Sequence, residues 1–340
     1  MRLVPLDRPV PGAEPADDVV NLVFLANLTA QETTGDTASS TSVERLQHRL
    51  RGSTEYDTLA FALEVTDEDP AGYLLLSLPL LEDRQVAEVE IILDAAHLPL
   101  PGSGFRPAGR AVLETLYAAA EAEAARRGRS VVQTWLLHSS DEDPGAGEWA
   151  RVLQGRGYEL GLTEIQGVVD VGVPAPVWPE DVRLDVVRDL AFPPALIDDI
   201  LALYRRASTD VPTGGLLADP VDWTPGRLRA AGQRVSGTGR GMVSVVASDA
   251  SGVIALSEVT RFPGSEPGIV EQGITVVSPR ARGQGHGLRV KQEVLHAAAD
   301  MLGARRVYTS NAADNRWMID INRQLGWRVV SGGSGWQKQL

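Results

Sequence analysis

TVVSPRARGQGHGL, residues Thr275–Leu288, is the stretch that decides how this chain is read. Its β-branched start reads as a buried strand and Ser278-Pro279 ends it. The run Arg282-Gly283-Gln284-Gly285-His286-Gly287 then opens directly into a helix expected over 287–302. Glycines there let the backbone approach a ligand and take positive φ. Free N–H groups and the helix dipole at such an N-terminus form an anion site. A Walker A loop is excluded, because no Gly-Lys-Ser/Thr follows. The G-x-G-x-G spacing after hairpin strands fits a dinucleotide fingerprint poorly. A glycine-rich turn that holds nothing is the remaining alternative.

Working outward, the same order of elements occurs twice. The C-terminal half reads as a strand at 183–187, helices over 194–208 and 224–233, strands at 242–247, 253–262 and 268–277, the long helix, a strand at 305–310 and a last helix ending at Leu325-Gly326-Trp327. The N-terminal half runs in parallel. It has a strand at 2–6, helices over 16–29 and 43–50, strands at 58–65, 72–78 and 88–93, a helix over 109–127, a strand at 130–137 and a helix ending near Tyr158. The first helix is expected to bury Val19, Val20, Val23 and Phe24, and Thr66–Ala71 reads as a hairpin turn. Gly128 and Gly303 stop the long helices. Three prolines in Val171–Pro179 read as a linker. The expected division is therefore 1–172, a proline-rich linker over 173–181, and 182–340. The fold class is a mixed-sheet α/β (α+β) architecture in two tandem copies.

Composition narrows the chemistry. A net charge of −13 over 340 residues disfavours nucleic acid and anionic membranes as partners. Zero cysteines exclude disulfides, a thiolate nucleophile and thiolate metal sites. The five histidines form no HxxxH or HExxH spacing, so no metal is expected. The start, MRLVPLDRPVPGAEPADD, lacks the basic and apolar regions of a signal peptide, and a cytoplasmic protein is expected.

The pattern Arg282-x-x-Gly285-x-Gly287 before a long helix, a following strand, Asn315 and a terminal Leu-Gly-Trp resembles the GNAT-superfamily acetyltransferases over roughly 182–340. The tandem layout is similar to that of the mycothiol synthase-like group. The resemblance implies two GNAT-like domains, each a mostly antiparallel sheet with two splayed strands, flanked by helices. It implies an N-acetyltransferase that moves the acetyl group of acetyl-CoA to a small-molecule amine. Backbone amides of Arg282, Gly283, Gln284, Gly285, His286, Gly287 and Leu288 would hold the pyrophosphate, and an amide at Val276 or Val277 would polarise the thioester. Asn315 would contact the pantetheine arm or cap the last helix.

The N-terminal segment Phe105–Ala111 repeats Arg-x-x-Gly-x-Ala, but Pro107 removes a donor and the preceding LPLPGSG reads as an insertion. That half reads as a degenerate structural copy.

Amine acetylation requires the ammonium to lose a proton before attack, a task for a carboxylate of raised pKa. Glu271 occupies the place where family members carry such a residue, and Glu258 on the preceding strand is the second candidate. Asp210, at a helix exit, is a candidate contact to a cationic acceptor. Family members commonly use a Tyr four residues before the final Gly as general acid. Here that position is Asn322, which makes a non-catalytic CoA-binding or scaffold protein the alternative, and Tyr308 a possible replacement acid. Trp317 and Trp336 could line a pocket or simply be packed aromatics. Transfer to a hydroxyl has no diagnostic feature. Attack is expected to be direct, in a monomer or homodimer.

Overall fold

The computed structural model describes residues 1–37, 39–65, 70–99 and 103–340. The Thr66–Ala71 turn and the LPLPGSG stretch therefore fall partly outside the described residues. The chain forms two compact units. Unit 1 comprises Met1–Glu164, Thr213–Asp219 and Ser331–Leu340; unit 2 comprises Ile165–Pro212 and Pro220–Val330.

Unit 1 contains β1 (Arg2–Pro5), α1 (Asp17–Thr34), α2 (Val43–Arg51), β2 (Tyr56–Glu64), β3 (Gly72–Pro79), β4 (Val86–Leu93), α3 (Pro107–Arg126), β5 (Val131–His138), α4 (Glu148–Gly155) and the start of β6 (Glu159–Asp170). Unit 2 contains the end of β6, then β7 (Arg183–Arg188), α5 (Ile197–Asp210), α6 (Pro225–Gly237), β8 (Gly241–Asp249), β9 (Gly252–Arg261), β10 (Ile269–Val277), α7 (His286–Leu302), β11 (Arg306–Ala312) and α8 (Arg316–Gln324). The final strand, β12 (Arg328–Gln339), begins in unit 2 and pairs from Gly332 onward with β5 of unit 1.

The sheet of unit 1 runs β1-β2-β3-β4-β5-β12 and is antiparallel apart from the parallel β4–β5 pair. The sheet of unit 2 runs β7-β8-β9-β10-β11-β6, antiparallel from β7 to β10 with a parallel β10–β11 pair. In each unit a helix therefore crosses between the two parallel neighbours, as parallel pairing requires. The strands that complete the sheets, β6 and β12, were not expected from sequence; after a helix, a short polar-and-glycine run such as SGGSGWQKQ gives little alternation to read.

Both faces of each sheet are covered. In unit 2, Val187, Val246, Leu256 and Val276 pack under α5 and α6, through Ile200, Tyr204 and Leu228. The opposite face presents Val243, Val245, Ala255 and Val259 to Val290, Val294 and Ala298 of α7. Unit 1 repeats this with Tyr73, Leu75 and Ile92 under α1 and α2, and Leu74, Leu76 and Val89 under α3. Each such fully buried aliphatic contributes about 1.5–3 kcal/mol. On α1 the buried stripe is Val19, Leu22 and Val23, while Val20 and Phe24 are exposed; the helical repeat places those two on the neighbouring stripe. Trp336 fills the core of unit 1 and Trp317 is 84% exposed, so neither lines a pocket.

The proline-rich segment expected as a stiff linker lies within unit 2, strapped along α7. Carbonyls of Val173, Pro174 and Val177 accept hydrogen bonds from His296 (2.7 Å), Gln292 (3.2 Å) and Arg289 (2.9 Å). Trp178 stacks on His286 and donates to Glu293 at 3.0 Å. Within unit 1, Thr213–Asp219 is tied in by Gln337, whose Oε1 accepts from Leu217 N (2.7 Å) and Gln133 Nε2 (2.8 Å). No helix among the described residues is long and apolar enough to cross a membrane.

Candidate functional site

The loop between β10 and α7 is exposed from Arg282 to Gly285, and Gly283 and Gly285 take left-handed φ values of 75° and 78°. Among the described residues, no backbone carbonyl accepts from the amides of Gly283 through Leu288. These donors converge on solvent at the start of a 17-residue helix, where the partial positive charge of the dipole adds to them. Two guanidinium groups flank the loop. Arg289 donates to Gln284 O at 2.6 Å, and Arg282 donates to Val277 O at 3.2 Å. His286 contributes its backbone only. Its ring is covered by Trp178, and burial, with Arg289 nearby, holds its pKa below the ordinary value.

Beside the loop the sheet opens. β10 and β11 pair through Ile269–Arg306, Val270–Val307 and Glu271–Tyr308, and the register stops there. Opposite, the β9–β10 ladder shifts between Gln272 and Thr275, a bulge at Gly273-Ile274. Ser278 N donates to Ile254 O at 2.8 Å, so by strand alternation Val276 N also points to β9. Val277 N and Thr275 N then point into the gap. Of the two amides singled out from sequence, Val277 is the one free to serve a ligand, and Val276 belongs to the ladder.

No family model matches the chain, and no curated protein matches it. Solved structures do. A tandem GNAT protein from the clavulanic acid biosynthesis pathway superposes with a TM-score of 0.74 at 21% identity, over 99% of this chain and 98% of that one. A GCN5-related N-acetyltransferase from Sphaerobacter thermophilus gives 0.64 at 17% identity, over 99% and 95%. The fold is that of a tandem GNAT protein.

Within the second GNAT-like unit, the two candidate carboxylates lie on the sheet face that carries α5 and α6. Glu271 pairs with Thr260 and Glu258 with Ser244, so they flank the bulge diagonally. Glu271 is half-buried, whereas Glu258 is only 4% exposed. Tyr204 Oη and Ser244 Oγ (3.0 Å) both donate to Glu258 Oε1. Burial pushes its pKa up to about 7, against the opposing pull of those two hydrogen bonds. Burial also raises the Tyr204 hydroxyl, with Glu258 adding to it.

This shift has a sign. In the unfolded chain the carboxyl ionises near 4.5 and in the folded one near 7, so its contribution to stability is full below 4.5 and is lost as pH rises to 7. The loss amounts to at most about 3 kcal/mol. Relative to wild type, Glu258→Gln is expected to gain stability between pH 5 and pH 8 in denaturant melts. A constant difference across that range would mean that Glu258 is not the titrating group.

Asp210 is placed differently from its expected role. Its carboxylate is shared by Arg206 and Arg282, which bond it from α5 and from the loop. Burial alone would raise its pKa, but Arg282 and Arg206 hold it below the usual carboxylate range. It therefore positions Arg282. Asp210→Asn is expected to weaken anion binding at the loop by no more than about fivefold, since an exposed pair of this kind is worth about 0–1 kcal/mol, and to leave the KM for an acceptor unchanged. A large rise in acceptor KM alone would restore it as a substrate contact.

Asn315 caps α8, its Oδ1 accepting from Met318 N at 3.3 Å. Tyr308 is half-buried, its hydroxyl donating to Gln166 of β6 at 2.5 Å. Asn322 is fully buried, and its Oδ1 accepts from Lys291 Nζ at 2.6 Å. Sequence reasoning passed over Lys291, Tyr204, Ser244 and Gln272. Only Lys291 carried a readable signal, a charge at i+4 from Gly287 and i−3 from Val294 on an otherwise apolar stripe.

In unit 1 the start of the corresponding helix is built differently. Pro107 is the first residue of α3, and a Cβ on Gly109 would sit 2.2 Å from the carbonyl oxygen of His97. That glycine is needed for packing of the chain against itself.

Proposed function

We propose that this protein is an acyltransferase, moving the acetyl group of acetyl-CoA to an amine in unit 2. The observation that carries this is the row of amides from Gly283 to Leu288 that no carbonyl among the described residues engages, at the mouth of α7 beside the gap between β10 and β11. The residues present fit a diphosphate joined to an extended amide-bearing arm. The loop amides, Arg282 and Arg289 would hold the diphosphate. The main-chain groups of β10 facing the gap would bond the arm as a missing strand. Val277 N would polarise the thioester carbonyl.

Glu258 is the proposed base, accepting the acceptor's proton directly or through Tyr204, with Glu271 second. A carboxyl that ionises near neutral pH is matched to that role. Asn315 serves as the cap of α8. Unit 1 is a structural copy, because Pro107 and the close approach at Gly109 leave its loop short of donors. A small, neutral or cationic amine suits a protein of this net charge.

The experiment is a mass-spectrometric screen of amines, including amino sugars, polyamines and amino acids, with acetyl-CoA. A product heavier by one acetyl group and stoichiometric release of free CoA are the expected result. CoA binding without turnover on any amine would instead support a binding or scaffold protein.

A further inference from the structure

Lys291 lies on the buried face of α7 and is only 1% exposed, yet among the described residues no carboxylate pairs with it. Among those residues its ammonium has a single, neutral partner, Asn322 Oδ1 at 2.6 Å. Asn322 Nδ2, buried beside it, has no hydrogen-bond partner. A residue needed only for packing here would be apolar, because burying an unpaired ammonium is costly.

Its position can be worked out from the helix. A Cβ on Gly287 would lie 3.0 Å from Ile321 Cδ1 and 3.5 Å from Val277 Cγ2. From there α7 crosses the sheet face over β10, β9 and β8. Four residues of helix rise about 6 Å. Lys291, one turn on from Gly287 and bonded to Asn322 next to Ile321, therefore lies in the seam between α7 and α8, about one helical turn in from the Val277 end of β10. The sheet face there is polar and uncharged. Ser257 bonds Thr275 (2.9 Å) and Gln272 (3.1 Å), Thr309 is buried on β11, and Gln272 Oε1 lacks a partner. From α8 the neighbour is Asn322, also uncharged.

Resting on the acyl-transfer reading above, we infer that Lys291, held by Asn322, delivers the proton taken up by the departing thiolate of the coenzyme. As the acceptor nitrogen bonds to the acyl carbon, the C–S bond breaks and its electron pair stays on sulfur. A proton passes from Nζ to sulfur, leaving a neutral lysine amine that solvent reprotonates. Asn322, which stands at the position of the family's usual acid, thus becomes a positioning residue. Burial supports the assignment by lowering the Lys291 pKa to about 7, where ammonium and amine are both accessible.

The test uses free CoA, whose thiolate absorbs in the ultraviolet, bound to the full chain. In wild type the bound thiol is expected to titrate at least one unit lower than in Lys291→Met, and Lys291→Arg should restore the shift. Identical thiol titrations with CoA bound to both proteins would overturn the inference. Failure of both to bind CoA would overturn the acyl-transfer reading itself. Should Lys291→Met not fold, NMR of the Lys291 ε-methylene in wild type provides the second readout. Saturating CoA is expected to shift its titration; a titration unmoved by CoA refutes the role.

Discussion

Gly285→Glu is expected to weaken coenzyme binding at least about 100-fold while the protein stays folded. Gly285 has φ of 78°, a left-handed conformation that costs a non-glycine residue about 1 kcal/mol or more. Its Cβ would lie 3.3 Å from Arg289 Nη1, so the new carboxylate would capture that guanidinium. It would also set a negative charge among the amides from Gly283 to Leu288, where an anion is to be bound. Loss of helix-terminus attraction, loss of Arg289 and direct repulsion together amount to several kcal/mol at low salt. Gly285→Ala separates the backbone cost from the charge and should be milder. Calorimetric titration with CoA measures both, and an unchanged affinity for Gly285→Glu would remove the diphosphate site on which the functional reading stands.

Glu258→Gln is expected to lower kcat by about 100-fold or more, the range over which a positioned general base acts. Coenzyme affinity should hold, because Glu258 lies on the α5–α6 face of the sheet and the loop amides lie at the mouth of α7. In wild type, kcat should rise with pH through about 7 as the carboxyl ionises, and the variant should lose that limb. Glu271→Gln is the necessary companion. If it removes the limb and Glu258→Gln does not, the half-buried carboxylate is the base and Glu258 is a core ion held by Tyr204.

The repeat of elements was legible because hydrophobic periodicity and turn residues are local properties. The glycine loop was legible because left-handed backbone next to a helix start restricts composition so strongly. What sequence could not show were facts of pairing. Glu258 and Glu271 look alike as strand carboxylates, and only the covering Tyr204 and Ser244 set them apart. Asp210 read as a free acid at a helix exit, but Arg282, 72 positions later, fills it. Val276 and Val277 were indistinguishable until one hydrogen bond, Ser278 to Ile254, fixed which way the amides alternate. The proline run read as a linker because prolines disfavour helix and strand, and nothing local reveals that its carbonyls are taken by side chains of α7.

Biosynthesis places a constraint on this architecture. One edge of β5 pairs with β4, but the other is covered by Gly332–Gln339, far along the chain, so during translation that edge waits for the later segment. Until then, Val131–His138, paired with β4 on one side, offers an open and largely apolar edge on the other, the kind that recruits other chains. Nascent protein should therefore depend on chaperone shielding during translation, and deletion of Ser331–Leu340 should send it into inclusion bodies.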